Sequence, residues 1–87
     1  MIIQTGKLYM FQHCSYLFKS RNCFIEPDDY LSDVDNQIVM ILEQYSIKHE
    51  QYSIKHGLHG FRLLTSEGLV GYICCAERLL ETYFVKL

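Results

Sequence analysis

The side chains able to do chemistry fall into a few groups. Glu26, Asp28, Asp29, Asp33 and Asp35 lie within the run E-P-D-D-Y-L-S-D-V-D. Carboxylates this close together attract a divalent cation or a basic peptide. A calcium loop needs alternating acids, then Gly, then a distant Glu, and this run lacks that order. A solvated acidic loop is the expectation, and a loop that meets a basic partner segment is the alternative. His13, Cys14, Cys23, Cys74 and Cys75 carry the atoms zinc prefers. Structural zinc ligands, however, arrive as close pairs separated by two to four residues, and neither His13-Cys14 nor Cys74-Cys75 does so. Neighbouring strand residues point to opposite faces, so one of Cys74 and Cys75 is expected in the core and the other outside it. No metal and no cofactor are expected.

His49, His56 and His59 form a third group, able to respond to pH near neutrality or to bind a transition metal adventitiously. Two of them are copies produced by a repeat, so an ordinary exposed loop is the expectation. Catalysis would need a nucleophile beside a base, paired carboxylates in an apolar setting, or a glycine loop for phosphate. His13, Cys14 and Ser15 adjoin in sequence, but activation requires contact in space. The 5 glycines form neither G-x-G-x-x-G nor a P-loop. An enzyme would therefore have to assemble an unrecognised site from distant residues.

The elements that must position these groups follow from composition and periodicity. At 87 residues the chain has room for one core. Hydrophobic residues at 49% and charged residues at 21% are those of a globular domain and too apolar for a disordered one. The net charge of -2 and the scattered Lys and Arg give no support to phosphate binding, which wants a clustered basic face. No charged start followed by a long apolar run opens the chain, and no run approaches the ~18–20 apolar residues that span a bilayer. With four cysteines in no disulfide-scaffold spacing, a cytoplasmic protein is expected.

Lys7 to His13 and Gln37 to Gln44 read as strands, being apolar, aromatic or β-branched runs of strand length. Phe61 to Ile73 reads as a hairpin turning at Glu67-Gly68, where Gly accepts the positive φ of a tight turn. Ala76 to Glu81 is one helical turn, and Thr82 to Leu87 is a closing strand. Cys14 to Asn36 is a long connection whose one proline, Pro27, suits a helical start or a loop corner. The 7 Tyr and 5 Phe fall mostly in the strands and read as core and rim. Joint exposure of Tyr9, Phe11, Tyr72 and Tyr83 would instead suggest stacking with nucleic-acid bases.

Glu43 to His49 reads E-Q-Y-S-I-K-H, and Glu50 to His56 repeats it. A repeat this short is no solenoid unit. In a half-buried strand an odd insertion turns every later side chain to the other face. Residues 43–56 are therefore expected as a variable loop or hairpin extension rather than a continuous strand. A helix is the alternative, since Leu42, Tyr45, His49, Tyr52 and His56 recur at alternating three- and four-residue spacing. An exposed hairpin there would also offer edges for a second copy to dock on.

The order strand, long acidic loop, strand, variable loop, tight hairpin, one helical turn, final strand resembles a Src-homology-3-like small barrel. G-L-V-G-Y-I, then A-E-R-L-L and T-Y-F-V-K-L (residues 68–87), is similar to that family's passage from hairpin through helical turn to closing strand. Lys7-Leu8-Tyr9 is similar to its first-strand aromatic motif, and G-x-V-G-Y-I also resembles small barrels encoded by bacteriophages. The resemblance implies an all-β, five-stranded barrel over residues 1–87 with one short helical turn before the last strand. It implies a non-catalytic interaction or accessory module whose partner-binding face includes Tyr9, Glu26, Asp28, Asp29, Asp33 and Tyr72. It does not extend to polyproline recognition, because the chain has no Trp and Cys74 follows Ile73 where those modules place Pro. A nucleic-acid-binding small barrel is the alternative class.

Deleting Glu50 to His56 should leave the strand content and melting temperature close to those of the intact chain by circular dichroism. A collapse of the fold would show that both copies are needed for strand register.

Overall fold

A computed structural model describes residues 2–12, 17–21, 30–32, 36–46 and 58–87. Seven strands make up one antiparallel sheet: β1 (Leu8–Phe11), β2 (Leu17–Phe18), β3 (Tyr30–Ser32), β4 (Gln37–Ser46), β5 (Leu58–Thr65), β6 (Val70–Ala76) and β7 (Phe84–Lys86). They lie in the order β3-β2-β6-β5-β4-β1-β7. A 3-10 turn (Glu77–Leu79) and one turn of helix, α1 (Leu80–Tyr83), carry the chain from β6 to β7.

The alternation of the strands builds the core. Tyr9 and Phe11 of β1, Val39 and Ile41 of β4, Phe61 and Leu63 of β5, Ile73 and Cys75 of β6 and Phe84 of β7 all point to one face and are buried. Ile3, Leu17 and Leu80 complete that layer. Phe84 stands at its centre, with its ring 5.0 Å from Phe11, 5.1 Å from Phe61 and 5.8 Å from Tyr9, each edge-on. Edge-to-face packing suits the ring quadrupoles. β7 and β5 are three positions apart in the sheet, about 14 Å if it were flat. Their rings meet because the sheet curls and the side chains lean inward. Leu80 is the one buried residue of α1, and it holds a helical turn that is too short to be stable alone.

The all-β class, the main strands and the hairpin agree with expectation. The turn closes on Thr65, whose carbonyl accepts from the Gly68 amide at 3.0 Å and whose amide donates to the Leu69 carbonyl at 2.8 Å. Gly68 has φ +86, the left-handed geometry that ends a three-residue hairpin loop.

Other expectations are corrected. The sheet has seven described strands rather than five, and it is open: no ladder joins β3 to β7 among the described residues. The extra strands come from Cys14 to Asn36, which was expected as one long loop. Leu17 is an apolar anchor there, and burying it draws β2 onto β6 and β3 onto β2. Thr82 and Tyr83 belong to α1 rather than to the closing strand, since the turn must finish before Phe84 can point inward. Of the tandem repeat, Glu43–Ser46 continues β4, and residues 47–57, with the expected loop or hairpin, lie outside the described residues. Pro27 lies outside them as well.

Gly71 lets β2 attach. A side chain at that position would overlap the Leu17 isobutyl group, which is wholly buried. Gly71→Ala should cost about 1–3 kcal/mol, the usual range for overpacking a core. Chemical denaturation would check this, and an unchanged midpoint would mean that Leu17 has room to move.

Candidate functional site

The outer face of the sheet is set by a bulge in β4. Ile41 pairs with Leu63 but Glu43 pairs with Arg62, so one residue, Leu42, is extra. A single inserted residue reverses the alternation beyond it. Glu43 and Tyr45 therefore face outward, where unbroken alternation from Ile41 would have turned them into the core. The N-terminal segment anchors the bulge: the Gly6 amide donates to the Ile41 carbonyl at 2.7 Å, and the Ile41 amide to the Lys7 carbonyl at 3.1 Å. The Gln44 amide nitrogen adds a bond to the Ile3 carbonyl at 2.7 Å.

The outward residues beyond the bulge form an aromatic and arginine cluster. Glu43 lies opposite Arg62, Arg62 opposite Tyr72, and Tyr72 opposite Phe18. In the next row Tyr45 lies opposite Gly60, and its ring occupies the space a Gly60 side chain would need. The Tyr45 and Tyr72 rings meet edge-on at 6.3 Å. Arg21, just after β2, lies over the Tyr45 ring at 4.0 Å and forms an ion pair with Glu43. The Tyr45 hydroxyl donates to the Arg21 carbonyl at 2.7 Å. Cation–π contact, ion pair and hydrogen bond together fasten the β2 arm to β4.

Arg62 differs from its neighbours. It is half-buried, and its Nε is shielded from solvent without a hydrogen-bond partner among the described residues. A buried donor without an acceptor carries a desolvation cost of about 1–3 kcal/mol. Among the described residues the cluster brings together Arg21, Arg62 and Glu43. It can stack on apolar or aromatic groups through Tyr45 and Tyr72 and donate to a carbonyl or carboxylate.

Of the expected site residues, Tyr72 lies half-buried in this cluster. Tyr9 does not join it. It is 2% exposed on the opposite face, and its hydroxyl accepts a 2.9 Å bond from the Gln4 amide. Expectation placed Tyr9 on a binding face, but the alternation of L-Y-M-F pairs it with inward Phe11. Glu26, Asp28 and Asp29 fall in the connection between β2 and β3, and Asp33 follows β3; all four lie outside the described residues. So do His13, Cys14, Cys23, His49 and His56. Cys75 is buried and Cys74 half-buried on the outer face, the split that alternation predicts. Among the described residues no cluster of three or more His, Cys, Asp or Glu is placed to hold a metal. Tyr9 and Phe11 are buried while Tyr72 and Tyr83 are half-buried, so the four aromatics form no common stacking surface.

Sequence reasoning missed Arg21, Glu43, Tyr45 and Arg62. Arg62 carried a signal, being one cation inside the apolar run F-R-L-L. Tyr45 carried none, because its face depends on the bulge. No protein-family model, no curated protein and no solved structure matches the chain. No helix among the described residues is long and apolar enough to cross a membrane.

Gly60→Ala should displace the Tyr45 ring and with it Arg21, costing about 1–3 kcal/mol. Glu43→Gln, which removes only a half-exposed ion pair, should cost under ~1 kcal/mol. Thermal unfolding of the two variants would test this order. The reverse order would place the strength of the clasp in the ion pair.

Proposed function

We propose that the protein is a non-catalytic interaction module of Src-homology-3-like type, with a protein partner docking on the Tyr45, Arg62 and Tyr72 surface. The observation that carries this reading is Arg62, a half-buried arginine with an unsatisfied Nε beside two tyrosines. Tyr and Arg are the residues on which interface energy concentrates, and a partner's acceptor would satisfy the buried donor once the Arg62 side chain turns outward to meet it. Support for the family comes from the order of elements. Strands β1, β4, β5, β6 and β7 are joined by a long connection that also carries β2 and β3, a variable segment, a three-residue hairpin loop and a single helical turn, an order similar to the one the resemblance implies.

The acidic connection between β2 and β3 gives the partner its second expected property. β2 adjoins β6, so the chain leaves the cluster at Arg21 and enters the stretch that contains Glu26, Asp28 and Asp29. The partner is read as a segment that presents basic residues to these acids and an apolar or carbonyl-rich flank to Tyr72 and Arg62. Nucleic acid is disfavoured by the same acids, which would repel phosphate.

Titrating the labelled protein with a short lysine-rich peptide, followed by amide chemical shifts, tests this. Shifts are expected at Arg62, Tyr72 and residues 26–33, reduced at least ~10-fold in apparent affinity by Arg62→Ala or by Asp28→Asn with Asp29→Asn, about 1.4 kcal/mol. No shift at millimolar peptide, together with salt-dependent retention on a DNA resin, would replace the proposal with a nucleic-acid-binding barrel.

A further inference from the structure

A strand with one face in water alternates apolar and polar residues, whereas a strand covered on both faces reads as an unbroken apolar run. β1 is L-Y-M-F, and β4 opens I-V-M-I after Gln37. Their inward residues fill the core, yet their outward residues are apolar too. The ladders align these residues in two adjacent rows. Val85 lies opposite Met10 and Met10 opposite Ile38; Leu8 lies opposite Met40, Met40 opposite Leu64, and Leu64 opposite Val70. The rows hold seven apolar side chains from five strands and no charged group. Leu8 is 46% exposed, Ile38 42%, Val70 48% and Val85 40%.

The geometry points to a second copy of this chain as the cover: two sheets packed face to face about a twofold axis through these seven residues. Among the described residues these rows carry no charge and no hydrogen-bonding side chain, and such a surface is complementary to itself, as an interface between identical copies requires. Its composition is that of a homodimer core, whereas transient interfaces are more polar. Two twisted sheets can interdigitate such rows at a separation of about 10 Å, and Met10 and Met40 can adapt their shape at the seam.

The area also fits. With Leu8, Ile38, Val70 and Val85 exposed and Met10, Met40 and Leu64 half-buried, the patch presents roughly 400 Å² of apolar surface, within the range of the largest, often functional, patches on monomers. A stable interface buries about 800 Å² per partner as an apolar centre with a polar rim. The patch supplies the centre, and the row of Glu43, Arg62 and Tyr72 borders it on the rim. This surface shares the row of Glu43, Arg62 and Tyr72 with the Tyr45 cluster but leaves Tyr45 and Arg21 outside it, and the inference rests on the seven apolar residues rather than on the proposed partner.

Sedimentation equilibrium of the intact protein from low micromolar to several hundred micromolar tests it. Twice the chain mass is expected, with a melting temperature that rises with concentration. Ile38→Lys and Val70→Lys, at exposed positions, should each weaken the dimer at least ~100-fold and yield folded monomers by circular dichroism. Removing Glu50 to His56 should leave the dimer intact, which separates this face from association through the repeat. An intact chain that stays monomeric at the highest concentration overturns the inference. So does a dimer that survives both substitutions or is lost with the repeat.

Discussion

The packing of Phe84 against Tyr9, Phe11 and Phe61 is the interaction on which the rest of the structure depends. It joins the last strand to the first and to the middle of the sheet, so both ends of the chain are committed to one core. Three edge-to-face contacts on one ring contribute about 0.5–1.5 kcal/mol each beyond the burial of the ring itself. They also require the helical turn that precedes them, because the chain must cross from β6 to β7 before Phe84 can enter the core. Leu80 makes that crossing favourable by burying its own side chain on the way. The same contacts hold the sheet in its curled form.

A second constraint operates on the outer face. The bulge at Leu42, held by the Gly6 and Lys7 backbone, rotates the end of β4 so that Glu43 and Tyr45 face outward. Without it Tyr45 would compete with Phe61 and Phe84 for core volume, and Gln44 would lose its bond to Ile3. The bulge thus allows Tyr45 to lie on Gly60 and to receive Arg21. A feature of the N-terminal backbone thereby decides the chemistry of a surface more than thirty residues downstream.

The outer face divides at the row containing Arg62. On one side lie apolar residues without charge, and on the other aromatic residues with arginines and a carboxylate. Burial of apolar area is non-directional and suits association of copies, whereas tyrosine and arginine with an unsatisfied donor suit recognition of a particular partner. The two surfaces ask for different chemistry and share the Glu43, Arg62 and Tyr72 row, so occupation of one bears on the other at that border.

Much of the architecture was legible in the residues themselves. Apolar runs of strand length, the Glu67-Gly68 turn and the single helical turn are local signals, and local signals depend on periodicity and backbone preference that each segment carries with it. The division of Cys74 from Cys75 followed from alternation alone. Tertiary structure decided what depends on distant segments: that Leu17 draws two further strands out of the acidic connection, that the sheet stays open, and that Tyr9 faces the core. It also decided that Tyr45, whose face is reversed by one unpaired residue, meets Arg21 and Tyr72. Strand parity is set by pairing across the ladder, and no segment read by itself contains its partner's register.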